Sequence, residues 1–169
     1  FNYNGQINFF LEDQKIKNCP YNSNWIKKTY GKVEYEKISN KTILCSGTVL
    51  GEHKKIIEYL NLLTKNISAF KYKKKLKYFL TLRPDPEGRG CDQGHANYLV
   101  HNGKISNLNL YSNSTGPIAT VFYLKKIIFD KNFFLLNELG NPYLLVHQYD
   151  KRWSEFENSI KKFKLQIKI

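Results

Sequence analysis

The hydrophobic and polar positions of the chain switch between strand-like and helix-like periods, which predicts a mixed α/β domain. Lys41–Cys45 is a short apolar run typical of a buried strand, and the Ser46–Thr48 stretch that follows it predicts a turn. From Gly51 the pattern becomes helical with one apolar face. That face contains Ile56, Ile57, Leu60 and Leu63.

The second half of the chain continues this mixture of elements. Asp92–Val100 reads as a short helix with Asp92 in the favoured N-cap position. Ser154 and Glu157 form a capping-box pattern that predicts the start of a last helix. The apolar stripe of that helix is Phe156, Ile160 and Phe163. Strands are predicted at Leu108–Tyr111, Ile118–Tyr123 and Tyr143–Tyr149, with a hairpin that pairs Lys126–Phe129 with Phe133–Leu136.

Length and composition place the chain among ordinary folded domains. Its 169 residues suit a single domain, 1–169, that can bury a real core. Hydrophobic residues make up 41% and aromatic residues 15%, which excludes disorder as the main state. The sequence contains no apolar run near the roughly 18 residues that a membrane-spanning helix needs. We therefore expect no membrane span in this segment.

The strong positive charge does not by itself indicate a nucleic-acid partner. Lys and Arg number 27 against 14 Asp and Glu, a net charge of +13, yet only three of the basic residues are Arg. Arg is the preferred residue for bidentate contacts with phosphate and guanine. We therefore expect no nucleic-acid partner. A nucleic-acid-binding module using the basic, aromatic-containing Lys65–Lys77 stretch is kept as an alternative.

The cysteines offer no metal or disulfide framework. Cys19, Cys45 and Cys91 stand far apart and form no CxxC pair, which excludes a zinc ribbon and a dense set of disulfides. We interpret them as buried, reduced thiols.

Three clusters of polar residues follow predicted strands or open predicted helices, where ligands commonly bind in α/β folds. The first is Cys45–Thr48, whose glycine allows close approach of a ligand to the backbone. The second is Asp92–Asn97, whose carboxylate and amides can hold sugar hydroxyls. The third is His147–Trp153, in which a potential metal ligand lies beside Lys151 and Arg152. A metal ion and two cations together could neutralise a diphosphate.

These three clusters resemble, in the same order, motifs of glycosyltransferases with the GT-A fold, most closely the glycogenin-like family. In that family a strand ends in an Asn-Ser-Gly turn, here Cys45–Gly47. A helix opens with Asp-Gln-Gly and an Asn three residues later, here Asp92–Gly94 and Asn97. A late His is followed by a Lys and a Trp, here within His147–Trp153. The resemblance covers about 60% of the chain.

The resemblance implies a metal-dependent enzyme that transfers a hexose from a nucleotide-diphosphate sugar to a hydroxyl of a glycan, protein or lipid acceptor. Its catalytic residues would be Asp92 and Gln93, near the reacting carbon, and its metal ligand would be His147. The implied substrate-binding residues are Ser46, Gly47, Gly94, Asn97, Lys151 and Arg152. Mn²⁺ or Mg²⁺ is favoured over zinc, because one His would be joined by oxygen ligands. The implied fold is a mixed sheet flanked by helices, of GT-A type.

The chain also departs from this family. Cys45 stands where the family has Asn, and Arg152 stands before Trp153 where the family has Pro. The family's D-x-D metal motif does not occur in the sequence; the nearest acidic pairs are Glu12–Asp13 and, in a proline-rich turn, Asp85 with Glu87. The chain also begins at Phe1 and contains no Met. We therefore expect an N-terminally incomplete piece, inactive alone, with the D-x-D half upstream. A non-catalytic carbohydrate-binding domain is a further alternative.

Overall fold

The structure is a computed structural model, and it describes residues 5–81 and 91–166, with side chains described for residues 5–70 and 92–162. The predicted class is confirmed, since a mixed sheet is flanked by helices. The strands are β1 (Ile7–Lys15), β2 (Thr42–Gly51), β3 (Leu108–Tyr111), β4 (Ile118–Thr120) and β5 (Leu145–His147). The α-helices are α1 (Pro20–Tyr30), α2 (Lys32–Ile38), α3 (His53–Thr81), α4 (Cys91–His101) and α5 (Trp153–Gln166).

Strand β1 is the centre of the main sheet, which has the order β2-β1-β3. It runs antiparallel to β2 and parallel to β3. The residues Ile7–Phe10 of β1 are all fully buried, as expected for a strand covered on both faces. Phe9 packs with Tyr59 of α3, whereas Phe10 stacks on Tyr111 of β3 with ring centroids 5.5 Å apart. A second, parallel sheet pairs β4 with β5.

The pairing of β1 with β2 is interrupted by two bulges. Between the pairs Phe9–Val49 and Leu11–Leu44, the four residues of the Cys45–Thr48 segment face one residue of β1. The turn predicted at Ser46–Thr48 is therefore wrong, because β2 continues through it to Gly51. Bulges bend a strand and redirect its side chains while the strand goes on.

The second bulge lies on β1 itself. Between the pairs Leu11–Leu44 and Lys15–Thr42, the Glu12–Gln14 segment faces the single residue Ile43. The two bulges are separated by only one register pair, Leu11–Leu44. Acidic residues of β1 and the small residues of β2 consequently lie side by side.

Several predicted boundaries need correction. Asp92 lies inside the first turn of α4 and is not its N-cap, because the helix already includes Cys91. The capping box is also wrong: Ser154 is the second residue of α5, which continues from the 3₁₀ helix Tyr149–Arg152. That 3₁₀ helix shortens the predicted Tyr143–Tyr149 strand to β5.

Two other predictions are confirmed only in part. The predicted strand Ile118–Tyr123 becomes β4 followed by the 3₁₀ helix Val121–Tyr123. The predicted hairpin near Asp130 keeps its turn: the Asp130 amide donates to the Phe134 carbonyl, and the Phe133 amide donates to the Asp130 carbonyl. Its strand pairing is reduced to an isolated bridge between Phe129 and Leu135. The strand predicted at 108–111 is confirmed as β3.

The helical pattern that follows Gly51 extends much further than predicted, through all 29 residues of α3. No helix within the described ranges is long and apolar enough to cross a bilayer, in agreement with the expectation from the sequence. The predicted loop at 83–90, with Asp85 and Glu87, lies outside the described residues.

Candidate functional site

A buried carboxylate links the two bulges to helix α4. Glu12 is only 3% exposed and lies in the β1 bulge. Gln93 of α4 donates a hydrogen bond from Nε2 to Glu12 Oε1 at 3.0 Å. Burial raises the pKa of Glu12 to about 7, although the hydrogen bond from Gln93 opposes this shift. A carboxyl group that exchanges its proton near neutral pH is suited to a functional cleft.

The bulge of β2 brings Cys45 and Gly47 against His147, which is about a hundred residues away in the sequence. The Cys45 Sγ lies 3.4 Å from His147 Nδ1. Gly47 is packed so close that a Cβ on it would lie 2.7 Å from His147 Cε1 and 2.8 Å from Nε2. The first and third sequence clusters therefore meet.

Burial controls the protonation of this pair. It lowers the pKa of His147, with nearby Asp150 acting in the opposite direction, so the imidazole is neutral at neutral pH. It raises the pKa of the Cys45 thiol, and the charge of Glu12 adds to that shift. Cys45 is thus a neutral thiol rather than an activated nucleophile.

A cleft of about 170 Å³ is lined by Glu12 and by Gln148, the residue after His147, but not by Cys45 or His147 themselves. Glu12, Gln93, Gln148 and Lys151 contribute its polar lining, and Trp25 contributes part of its aromatic wall. The Lys151 side chain is 56% exposed and its Nζ lies 3.2 Å from Asp150 Oδ2. The second and third sequence clusters therefore share this cleft through Gln93 and Lys151.

Two predicted substrate-binding residues of α4 have structural roles. Asn97 is fully buried: the Leu44 amide donates to its Oδ1 at 2.8 Å, and its Nδ2 donates to the Leu44 and Gln93 carbonyls at 3.1 and 2.8 Å. Gly94 is buried against α1, where a Cβ would lie 2.8 Å from that of Trp25. Both residues therefore hold α4 in position, whereas Gln93 of the same helix lines the cleft.

Three further predicted residues lie at the edges of this arrangement. The Arg152 guanidinium is occupied by both carboxylate oxygens of Glu155 and by the carbonyls of Val121 and Leu124, so it anchors the start of α5. Asp92 is exposed on α4; burial raises the pKa of Tyr59 to about 12, and the charge of Asp92 adds to that shift. Ser46 is half-buried within the β2 bulge. None of the three is among the described residues that line the 170 Å³ cleft.

The described residues do not assemble a complete metal site. No group of three His, Cys, Asp or Glu side chains within residues 5–70 and 92–162 could hold a metal ion. His147 therefore offers one ligand at most. The carboxylates of a D-x-D motif would have to come from outside the described residues.

Glu12 is a site residue that the sequence motifs do not reveal. In the sequence, Glu12–Asp13 form an acidic pair that follows no obvious strand, whereas the structure places both within β1. The Phe9–Leu11 stretch before them is uniformly apolar, so no alternation of polar and apolar positions indicates the strand. An acidic residue directly after such an apolar run is the available signal.

Other expectations concern the cysteines and the basic stretch. Cys19 and Cys45 are confirmed as buried free thiols. The described part of the Lys65–Lys77 stretch belongs to α3, and Phe70 contacts the His95 ring, with centroids 5.8 Å apart. That phenyl ring therefore packs against the fold rather than standing ready to stack on a base.

Comparisons of this chain with protein families, with characterised proteins and with solved structures find no match.

Proposed function

We propose that this chain is the acceptor-side part of a GT-A glycosyltransferase that moves a hexose from a nucleotide-diphosphate sugar to an acceptor hydroxyl with the aid of Mn²⁺ or Mg²⁺. The observation that carries the proposal is the contact of the His147 ring with Cys45 and Gly47, beside a cleft that contains Gln93 and Lys151. These residues belong to three motifs chosen from the sequence alone. A chance resemblance would not require them to meet.

The protonation of His147 supports its assignment as a ligand. A neutral imidazole is required for metal binding, and burial favours that form here. In the tautomer that donates the Nδ1 proton to Cys45 Sγ, Nε2 carries the lone pair with which the ring would bind a cation. The bound metal would supply charge stabilisation for the departing diphosphate.

Lys151 is the cation that supports the diphosphate assignment. It lies at the mouth of the cleft and its only described ion pair, with Asp150, is exposed and therefore weak. A phosphate group could displace that pairing at little cost. Arg152 does not share this role in the proposal, because its guanidinium is fully used within the fold.

The decisive experiment uses the full-length gene product. Metal-dependent hydrolysis of nucleotide sugars is measured for the wild type and for His147→Ala, with the exposed His53→Ala as the matched control. We expect at least about a tenfold loss for His147→Ala, equivalent to about 1.4 kcal/mol, and no loss for His53→Ala. Equal rates for all three proteins, with folding confirmed by circular dichroism, would contradict the assignment of His147.

A further inference from the structure

The cleft beside Glu12 contains two hydrogen-bond acceptors with unused capacity. In the described part of the chain, Gln93 is the one hydrogen-bond partner of the Glu12 carboxylate, which can accept about four bonds. Asn22, another lining residue, donates from Nδ2 to Cys19 Sγ, but its buried Oδ1 has no partner among the described residues. Buried polar groups normally have partners. Asn22 Oδ1 without a partner, beside a Glu12 carboxyl with capacity for further bonds, indicates a ligand that donates hydrogen bonds.

Aromatic rings form the other part of the cleft wall. Tyr21 and Trp25 of α1 lie with their ring centroids 6.0 Å apart, and Tyr123 is a further ring in the lining. Tyr21 is 69% exposed, so a flat apolar surface is presented to solvent at this point. Aromatic rings with polar handles suit ligands that are apolar on one face and wet on another.

The size of the cleft restricts the ligand further. Pockets for drug-sized ligands have volumes of about 300–1,000 Å³, whereas this cleft has about 170 Å³. That volume suits one six-membered ring, and the rest of a larger ligand would extend out of the open cleft. A sugar ring combines hydroxyl donors at its rim with an apolar C–H face, which matches both parts of the wall.

We propose that this cleft binds a single sugar ring, with the Glu12 carboxylate accepting a hydrogen bond from one ring hydroxyl. Its identification as the acceptor ring of a transferase rests on the function proposed above, whereas binding of the sugar itself does not. Gln93 holds the carboxylate in place, and Trp25 covers one face of the ring. Neither Glu12 nor Trp25 is a site residue that the sequence motifs predict.

The test uses the chain itself and four free sugars: glucose, galactose, mannose and N-acetylglucosamine. Saturation-transfer NMR measures binding at millimolar concentrations to the wild type, to Glu12→Gln and to the exposed control Glu36→Gln. We expect at least one sugar to bind the wild type and the control equally. At about pH 8, where the Glu12 carboxyl is ionised, binding to Glu12→Gln should be weaker by about tenfold, because the acceptor of the sugar hydroxyl loses its charge.

A second measurement keeps the proposal testable if Glu12→Gln does not fold. Addition of the sugar to the wild type should shift the indole N–H signal of Trp25 and leave that of Trp153 unchanged. Failure of all four sugars to bind the folded wild type would overturn the proposal, as would equal binding by folded Glu12→Gln or an unshifted Trp25 signal.

The outcomes separate this proposal from the proposed function. If sugar binding depends on Glu12 but the full-length protein is inactive on nucleotide sugars, the chain is a carbohydrate-binding domain and the proposed transferase function is wrong. Transfer activity with an acceptor KM unchanged by Glu12→Gln would retain the transferase and show that this cleft does not hold the acceptor ring.

Discussion

The absence of a side chain at Gly47 allows two distant segments of the chain to pack together. Its lack of a Cβ leaves room for the His147 ring, whose Cε1 and Nε2 atoms would otherwise lie 2.7 and 2.8 Å from that carbon. The sequence predicts a glycine that allows close approach of a ligand. The structure gives the same freedom to a neighbouring imidazole, which is why the β2 bulge and β5 can pack together.

We predict that Gly47→Ala displaces the His147 ring. The added methyl group meets only the far end of the His147 side chain, which can turn aside. The cost in unfolding free energy should therefore lie at or below the lower end of the about 1–3 kcal/mol that overpacking a core costs. Urea unfolding measures this cost, and the NMR signal of the His147 Cε1 proton reports the displacement. The matched background is His147→Ala, in which the methyl group has space and Gly47→Ala should cost clearly less. Equal costs in the two backgrounds would show that the ring does not constrain position 47.

At the scale of elements, helix α4 is tied to the sheet by Asn97, in addition to the Gln93–Glu12 bond and the contact of His101 Nε2 with the Thr42 carbonyl. Asn97 uses its whole amide to bind the Leu44 backbone and the Gln93 carbonyl. Leu44 belongs to the register pair that separates the two bulges. Asn97 therefore fixes the position of α4 along β2, and with it the point at which Gln93 reaches Glu12. The helix is predicted correctly, but of its two amide residues Asn97 bonds within the fold and only Gln93 lines the cleft.

Substitution of Asn97 should weaken the fold more than substitution of an asparagine that makes only a local bond. Asn97→Ala leaves the buried N–H and C=O of Leu44 without partners, each at a cost of about 1–3 kcal/mol. We predict a loss of about 2–4 kcal/mol in unfolding free energy, measured by denaturant titration. Asn102→Ala at the end of the same helix removes only a bond to the Tyr98 carbonyl and should cost less than about 1 kcal/mol. Similar losses for the two variants would contradict this role of Asn97.

The limits of sequence reasoning are also seen at this scale. Strand β3 alternates apolar and polar residues, and helix α4 opens with residues typical of a helix start, so the sequence predicts both close to their true ends. Strand β1 is not predicted, because its first four residues, Ile7–Phe10, are all buried and show no alternation. The bulge at Cys45–Thr48 is predicted as a turn, since a glycine within a polar stretch looks the same in both. Bulge pairing depends on the partner strand, which a local pattern does not contain.

For the whole molecule, the meeting of three motifs depends on long-range pairing. The residues Cys45, Gln93 and His147 come from β2, α4 and β5, and their order and chemistry can be read from the sequence. The carboxylate beside them, Glu12 of β1, cannot, because its burial is produced by strand pairing and by α4. That burial couples the stability of the entire fold to pH.

Stability should fall as the pH rises through the range in which Glu12 loses its proton. Its pKa is about 7 in the folded protein and 4.5 when exposed, so the folded state binds more protons between these values. The stabilisation that the protonated Glu12 gives to the folded state is fully present below pH 4.5 and is lost as the pH rises through about 7. It amounts to about 3 kcal/mol at most.

Glu12→Gln removes this titration while keeping an acceptor for the Gln93 amide. The variant should therefore gain stability over the wild type as the pH rises from about 5 to about 8, by up to about 3 kcal/mol in denaturant titrations at each pH. His147 and His101 act in the opposite sense, because burial lowers the pKa of both, but they are common to the two proteins and cancel in the difference. The unfolding free energy of Glu36→Gln should depend on pH in the same way as that of the wild type. A difference between Glu12→Gln and the wild type that stays constant with pH would mean that the pKa of Glu12 is the same in the folded and unfolded states, and its burial beside Gln93 would then have to be abandoned.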